Sequence, residues 1–306
     1  MRRAFSETLA ELAAGDDRIV LLTADLGFMA LEPFIEKFPA RFFNVGVAEQ
    51  NMIGVATGLA EAGFVPFVYS IVSFAVLRPF EFIRNGPIAQ QLPVRIVSVG
   101  GGLEYGHNGI SHYGLEDVAL MRTQPAISIV CPGDAAQTRT ALRSTWSQPG
   151  PIYYRLGKDD TLVVPGLNGR FELGRAQILH EGADILIIAM GAIATEAVAA
   201  ADALSARGVK ATVLLASSFN PGPAKDVVDQ LRRFKVVITL EAHYSTGGLG
   251  SWVSEISAEH GLGCRVIRRG VKEFPSAVSG SQSYLQHAYG ISKESVVEAA
   301  LEACGH

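Results

Sequence analysis

The sequence predicts an α/β protein made of two consecutive three-layer domains. Apolar runs of strand length alternate with amphipathic helical patterns along almost all of the 306 residues. This alternation lapses once, between residues 157 and 175, where paired acids, a proline and turn-forming residues replace it. A chain of this length holds about two domains. The alternation predicts a mainly parallel sheet in each domain, with right-handed crossovers.

The amino-acid composition restricts the possible partners and location. The chain is 48% hydrophobic and 18% charged, which is sufficient to fill two cores. Its net charge is −4 and it has no long basic block, so we expect no nucleic-acid partner. Three scattered cysteines indicate reduced thiols. The apolar run 185–195 is shorter than the ~20 residues of a membrane span. We therefore expect a soluble, cytoplasmic protein.

The first domain is predicted to span residues 1–160. The pattern begins with a helix and a buried strand that ends at the acid of the stretch TADLG, Asp25. In chain order we expect a helix at 5–13, strands at 19–24 and 42–45, a helix from 49, strands at 64–68, 94–99 and 126–130, a helix at 135–146 and a strand at 152–156.

A linker at 161–175 leads into a second domain, predicted at 176–306. We expect strands at 184–190, 210–216, 236–241 and 264–271, and helices at 195–206, 224–234, 248–260 and 293–304. Although strands and helices alternate in both halves, no repeated sequence indicates a duplicated unit.

The stretch RFFNVGVAEQNM, residues 41–52, places one carboxylate, Glu49, where a buried strand leads into a helix. Ligands of open α/β sheets bind at this end of the strands. An acid in the first turn of a helix also stabilises the helix dipole by a few tenths of a kcal/mol. Position alone therefore leaves both a functional and a structural role open for Glu49.

The second candidate segment is the loop 100–114, whose glycines at 100, 101, 102, 106 and 109 allow the backbone to approach a ligand closely. The loop carries His107 and His112, which could titrate near neutral pH or simply lie on the surface. A zinc site is not expected, because no cysteine or acidic triad of recognised spacing accompanies the two histidines.

GVAEQNM, followed by a Gly/Ala-rich helix, resembles the signature of the pyrimidine-binding domain of transketolase-like thiamine diphosphate enzymes. The resemblance extends along nearly the whole chain. It implies that Glu49 hydrogen-bonds N1′ of the cofactor's aminopyrimidine and so promotes loss of the proton on the thiazolium carbon. This role requires a carboxyl group in a pocket that excludes water.

The same resemblance implies three further residues at the reaction centre. Phe74 matches the aromatic side chain that stacks on the aminopyrimidine, although a Phe there could equally belong to the core. The segment Gly109-Ile110-Ser111-His112 resembles the family's Gly-Pro-Thr-His, which implies that His112 lies over the reactive carbon and handles protons on substrate oxygens. Asp25 matches an acid near the cofactor.

Substrate contacts follow from weaker matches. Arg155, at the last strand of the first domain, matches an arginine that binds substrate phosphate through bidentate hydrogen bonds. Arg2 (or the adjacent Arg3) could supply a second such contact, or could be a solvated terminal residue. The loop residues His107 and Asn108 complete the predicted substrate-binding set.

Three positions differ from ordinary transketolases. Met29 stands where a serine is usual, Gly100 where a histidine precedes the glycine loop, and Asn108 where an acid binds a substrate hydroxyl. These replacements imply that cofactor activation is retained while recognition of sugar phosphates is altered.

The stretch LEAHYSTGGLGSWVSE resembles the C-terminal domain of the same enzymes, where it serves packing and subunit contact. The chain contains no Gly-Asp-Gly, the family motif that binds Mg²⁺ and the cofactor diphosphate. The resemblance therefore implies the C-terminal half of a split transketolase, with thiamine diphosphate and Mg²⁺ held jointly with a separate N-terminal chain in an α2β2 assembly. No metal ligand is expected on this chain.

The predicted function is transfer of a two-carbon ketol unit between small sugar or sugar phosphate substrates. Two alternatives stay open. A beta subunit of a 2-oxoacid dehydrogenase would act on pyruvate-like acids with a lipoyl-domain partner, and a non-catalytic scaffold would have lost substrate recognition. The loop around His112 favours the transferase over the dehydrogenase, and retention of Glu49, Phe74 and His112 argues against the scaffold.

Overall fold

The computed structural model describes residues 1–275 and 278–305. In the first half, six parallel strands form a sheet in the order β5-β6-β4-β3-β1-β2. Their bounds are Ile19–Thr23 (β1), Phe42–Asn44 (β2), Val65–Ile71 (β3), Arg95–Val99 (β4), Ser128–Val130 (β5) and Ile152–Leu156 (β6). Each predicted strand of this half is present, and the prediction of a mainly parallel sheet is confirmed.

Helices cover both faces of this sheet and bury two separate apolar cores. Phe5 and Leu9 pack with Ala141 on one face, whereas Met52 packs with Met121 on the other. The three-layer arrangement predicted for this half is therefore confirmed. The helices are Arg2–Gly15 (α1), Glu32–Ile35 (α2), Glu49–Glu61 (α3), Val72–Val76 (α4), Phe80–Ile83 (α5), Asp117–Arg122 (α6) and Ala135–Thr145 (α7), with one π-helical turn at Arg84–Ile88.

The second half forms a sheet in the order β12-β11-β8-β9-β7. Its strands are Ala176–His180 (β7), Ile185–Met190 (β8), Ala211–Ala216 (β9), Val236–Tyr244 (β11) and Arg265–Val271 (β12). Its helices are Ala194–Ser205 (α8), Ala224–Leu231 (α9), Leu249–Glu259 (α10), Gln282–Ala288 (α11) and Lys293–Cys304 (α12). The edge strand β7 is antiparallel to β9, and the sequence pattern did not predict either β7 or α11.

A two-residue strand, Ser218–Phe219 (β10), leaves the second half and pairs antiparallel with β5. The first sheet therefore has seven strands, of which the last comes from the other half of the chain. Residues 161–175, all of them described, form no helix or strand, but Val164 and Leu167 are buried in the core of the second half. The connection is packed against the protein, and its boundaries stay a prediction.

Along the ranges 1–275 and 278–305, we find no helix with the length and apolar character that crossing a membrane requires.

Candidate functional site at the carboxyl edge of the first sheet

Four neighbouring strands of the first sheet, in the order β4-β3-β1-β2, run in the same direction. Their carboxyl ends meet at one edge, as the ends of parallel strands must. The segments that follow these strands carry Asp25, Glu49, Phe74 and His112. The structure brings Glu49, Phe74 and His112 into one cluster, which we call the Glu49 cluster.

Glu49 is the first residue of α3 and only 3% of its surface is exposed. The chain turns between β2 and α3 at Gly46, whose φ of +74° suits a residue without a Cβ. Both carboxylate oxygens accept hydrogen bonds from Nη1 of Arg78, at 2.8 and 2.9 Å. The Glu49 carboxylate is therefore buried, and it forms an ion pair that the sequence did not predict.

The Phe74 ring is half-buried on α4 and contacts two charged or titratable side chains. The Arg78 guanidinium carbon lies over the ring, 4.1 Å from its centre. The His112 ring meets it edge-on, with 5.1 Å between ring centres and 68° between planes. The Phe74 ring therefore lies between Arg78, which pairs with Glu49, and His112, the candidate catalytic residue.

The loop that carries His112 is fixed to α4 by a hydrogen bond from Ser73 Oγ to the Ser111 carbonyl oxygen, at 3.0 Å. Ser111 Oγ also lies 2.9 Å from His112 Nδ1. Partial burial and the nearby positive charge of Arg78 lower the pKa of His112 below its usual value. The neutral imidazole, which can accept a proton, is thus favoured near neutral pH.

Tyr105 explains the unusual Gly100. A Cβ at residue 100 would lie 2.1 Å from the Tyr105 ring, so the tyrosine fills the space that a larger residue would need. The ring centre lies 6.1 Å from that of His112, and the Lys158 ammonium nitrogen is 4.6 Å from the Tyr105 ring centre. The sequence did not predict that the Tyr105 ring lies between His112 and Lys158, because nothing local indicates that Tyr105 folds back over Gly100.

A cavity of about 350 Å³ lies on the Lys158 side of Tyr105. Its lining comes from both halves of the chain and comprises Arg2, Glu104, Lys158, Asp159, Asp160 and Gln282. Arg2 donates from Nε to the Lys158 carbonyl oxygen at 3.2 Å, which places it in the cavity wall as a substrate contact would require. Burial raises the pKa of Glu104 to about 7. His107 and Asn108 are exposed in the loop that passes this region.

Asp25 is exposed after β1 and adopts a left-handed conformation with φ of +56°. Its backbone N–H donates to Asn44 Oδ1 at 3.0 Å, and Asn44 Nδ2 donates back to Asp25 Oδ1 at 3.1 Å. These contacts join the ends of β1 and β2. Met29, on the same loop, is 81% exposed. The loop is accessible, but the Asp25 carboxylate makes no contact with the Glu49 cluster in the described structure.

The position of Arg155 argues against its predicted contact with a substrate phosphate. The side chain lies within β6, is 6% exposed, and donates from Nε to Asp117 Oδ2 at 2.7 Å. Its Nη2 donates to the carbonyl oxygens of Gly114 at 3.0 Å and Ala242 at 2.8 Å. These bonds join the glycine loop of the first half to β11 of the second, so the guanidinium is engaged structurally.

The donor set of the Glu49 cluster fits the aminopyrimidine of thiamine diphosphate. A buried carboxyl group can share a proton with a ring nitrogen through a hydrogen bond, and a flat aromatic side chain can stack on the ring. Nowhere in residues 1–275 and 278–305 do three or more His, Cys, Asp or Glu side chains come together in a way that could hold a metal ion.

Comparisons with protein families identify both halves. Residues 1–162 match the family "Transketolase, pyrimidine binding domain", and residues 174–296 match "Transketolase, C-terminal domain".

Similar proteins include a putative transketolase C-terminal section of Methanocaldococcus jannaschii, 36% identical over 99% of this chain and 95% of that protein. One of the subunits of an apulose-4-phosphate transketolase of Phocaeicola vulgatus is 36% identical over 98% of this chain and 96% of its own length. The 6-deoxy-6-sulfo-D-fructose transketolase subunit SqwH of a Clostridium species is also 36% identical, over 99% of this chain and 94% of that protein.

Among solved structures, an inactive β4 tetramer of a split-gene transketolase superposes with a TM-score of 0.88 at 37% identity, covering 99% of this chain and 98% of that one. The transketolase of Campylobacter jejuni shares the fold, with a TM-score of 0.80 at 20% identity, over 98% of this chain and 46% of the larger one.

Proposed function

Because this chain belongs to the transketolase family, as the C-terminal subunit of a split transketolase-like enzyme, we propose that it transfers a two-carbon ketol unit between sugar substrates together with an N-terminal partner chain. The observation that carries this proposal is the Glu49 cluster. A buried carboxylate, an accessible aromatic ring and a histidine with a lowered pKa lie together at the edge of the sheet where ligands of this fold class bind.

Each residue of the cluster has a distinct task. Glu49 hydrogen-bonds N1′ of the aminopyrimidine and shares a proton with it, and Phe74 stacks on that ring and fixes its orientation. His112 exchanges protons with the substrate oxygens, which suits its largely neutral imidazole. Asp25 borders the cofactor at the end of β1. Thiamine diphosphate, when bound, supplies the nucleophilic carbon that attacks a carbonyl group.

The cavity beside Tyr105 is the proposed site for the far end of the substrate. Arg2 and Lys158 offer positive charge there, beside the acids Glu104, Asp159 and Asp160 of the same lining, while His107 and Asn108 are exposed on the loop that carries His112. Two relatives are named for an apulose 4-phosphate and a sulfonated fructose, both with an anionic group. We propose a sugar with an anionic terminal group as substrate. The changes at Met29, Gly100 and Asn108 predict that it differs from the usual ketose phosphates.

The Mg²⁺ and diphosphate contacts are assigned to the partner chain, since this sequence lacks the Gly-Asp-Gly motif. We propose an α2β2 assembly with the cofactor between the two kinds of chain, acting in the cytoplasm.

Calorimetry tests the requirement for a partner. The isolated chain, titrated with thiamine diphosphate and Mg²⁺, should bind no tighter than about 1 mM, because only the pyrimidine contacts are present; this limit corresponds to ~4 kcal/mol. The complex purified with the chain encoded by the neighbouring gene should bind at micromolar or lower concentration. Micromolar binding by the isolated chain would contradict the split-site assignment.

Activity assays on the same complex separate the alternatives. Transfer from a ketose phosphate to an aldose supports the proposal. Decarboxylation of pyruvate-like acids would instead indicate a 2-oxoacid dehydrogenase subunit, and a complex that binds no cofactor would indicate a scaffold.

A further inference from the structure

Arg78 makes two contacts at once in the Glu49 cluster. Its Nη1 donates to both oxygens of Glu49, at 2.8 and 2.9 Å, and its guanidinium lies 4.1 Å from the centre of the Phe74 ring. We propose that the Arg78 side chain is a built-in substitute for the cofactor's aminopyrimidine, and that it must move away when the cofactor binds. This inference rests on the proposed function.

The argument begins with the chemistry of the two groups. A guanidinium is planar, donates hydrogen bonds from its edge and stacks on aromatic faces. An aminopyrimidine that hydrogen-bonds Glu49 and stacks on Phe74 needs the same carboxylate and the same aromatic ring. Because Arg78 engages both groups, its side chain in this position and the cofactor ring compete for them.

Burial explains why a substitute is needed. Glu49 is 3% exposed, and a buried carboxylate that lacks a partner is strongly destabilising. In the chain by itself, Arg78 supplies the compensating charge. It is the one described side chain that forms an ion pair with Glu49 within 4.0 Å.

The exposure of Arg78 explains how it can leave. Its side chain is 45% exposed, in the short turn between α4 and α5. Movement of its guanidinium into water would not require a change in the backbone of either helix. Glu49 and Phe74, in contrast, are held on the helices α3 and α4, so they keep their positions for the incoming ring.

The proposal predicts opposite effects of one substitution on stability and on affinity. Arg78→Ala should lower the melting temperature of the isolated chain, because Glu49 loses its partner. In the two-chain complex, the same substitution should tighten thiamine diphosphate binding about five- to thirty-fold, because a competing ion pair and a cation–π contact no longer have to be broken. A purely structural arginine would lower stability without improving affinity.

The test measures cofactor binding by calorimetry in the two-chain complex, and thermal unfolding of the isolated chain, for the wild type and three variants. Arg84→Ala is the matched control. Arg84 lies on the adjacent π-helical turn, is exposed, and bonds Asn85 rather than Glu49. Its loss should change neither measurement. Arg78→Lys keeps the charge but loses the planar stacking group, so its affinity for the cofactor should be intermediate, and it remains informative if Arg78→Ala folds poorly.

Two results would overturn the inference while leaving the proposed function intact. Weaker cofactor binding by Arg78→Ala would mean that the arginine remains in place and contributes to the bound state. Unchanged affinity in Arg78→Ala and Arg78→Lys would mean that it does not compete with the ring. If the wild-type complex itself binds no thiamine diphosphate, the proposed function fails, and the inference fails with it.

Discussion

Two buried glutamates, one in each half of the chain, lie where a strand leads into a helix, yet their partners differ. Glu49 begins α3 and Glu241 lies in β11, shortly before α10. They are 3% and 0% exposed, respectively. The oxygens of Glu241 accept hydrogen bonds from the backbone N–H groups of Leu249 at 2.7 Å and Gly250 at 2.8 Å. Those of Glu49 accept hydrogen bonds from the side chain of Arg78.

The difference separates a structural carboxylate from one that can change partners. Backbone donors of the first turn of α10 cannot leave Glu241 unless the helix unwinds. This close approach depends on Gly248, since a Cβ there would lie 2.0 Å from Glu241 Oε2. A flexible arginine can leave Glu49 by rotating its side chain. A carboxylate at a strand-to-helix connection therefore stabilises the fold in the second half, and we propose that it is a binding group in the first.

Substituting each glutamate by glutamine should give opposite results and is the strongest test of this comparison. In the two-chain complex, Glu49→Gln removes the group that exchanges a proton with the cofactor ring, so deprotonation of the thiazolium carbon should slow by ~10²–10⁴-fold. Glu241→Gln weakens charge-assisted bonds to the helix and should cost about 1–3 kcal/mol of the free energy of unfolding. Hydrogen–deuterium exchange at the thiazolium carbon and urea unfolding measure the two effects.

Each variant serves as the control for the other. Glu241→Gln should exchange the thiazolium proton at the wild-type rate once folded, and Glu49→Gln should retain the helical content of the wild type. An unchanged exchange rate in Glu49→Gln would leave Glu49 as a helix-terminus acid and remove the functional half of the comparison.

Arg155 joins the two halves of the chain. Its substitution should therefore lower the free energy of unfolding more than it changes substrate binding. Arg155→Ala would leave Asp117 buried without its ion-pair partner, which typically costs about 3–5 kcal/mol. Urea unfolding measures this loss. Arg2→Ala is the comparison variant, because Arg2 lines the cavity beside Tyr105 and its loss should raise KM for a substrate with an anionic terminal group. If Arg155→Ala leaves stability intact and raises KM specifically for phosphorylated substrates, the phosphate contact predicted from the sequence is correct.

The sequence predicted most of this fold, because long apolar strands and amphipathic helices have clear periodicity. It missed β7, whose residues are all half-buried and therefore lack a strong pattern. It also missed β10, because two residues are too few for any periodicity, and their pairing with β5 depends on the packing of the two halves.

The sequence indicated Glu49 and His112 because they belong to motifs, and their proximity in the structure is consistent with that prediction, while their roles stay a prediction. Contacts between distant side chains were not predictable. Arg78 lies 29 positions from Glu49 in the chain, and no local feature indicates that they meet. For Arg155, in contrast, the sequence did contain a local indication of a structural role. It lies between Tyr154 and Leu156 inside a buried strand. An arginine in such a strand indicates a buried partner more readily than a ligand at the strand end.

The last prediction concerns His243, which lies near Glu241 and connects β11 to the first half. Its side chain is fully buried, and Nδ1 lies 2.7 Å from the Tyr244 carbonyl oxygen. Since that oxygen can only accept, Nδ1 carries the proton and Nε2 accepts the N–H of Ala119 at 3.3 Å. Protonation of Nε2 would break this link between the two halves of the chain.

Burial lowers the pKa of His243 to about 4, whereas an unfolded histidine titrates near 6.5. Between these values the unfolded chain binds a proton that the native chain does not, so this group destabilises the fold as pH falls from 6.5 to 4. Glu241 acts in the opposite direction, because burial raises its pKa to about 7 and the native chain then takes up a proton above the usual range of a glutamate. The pH dependence of the wild type alone therefore mixes the two contributions.

A comparison with His243→Gln isolates the histidine, since glutamine also offers one donor and one acceptor but does not titrate. The stability of the wild type relative to this variant should fall by roughly 3 kcal/mol between pH 7 and pH 4. Urea unfolding of both proteins across this range gives the difference directly. Parallel pH curves would show that His243 titrates alike in the folded and unfolded chain. In that case the second half of the molecule, like the Glu49 cluster, would contain a group that water or a mobile partner can reach.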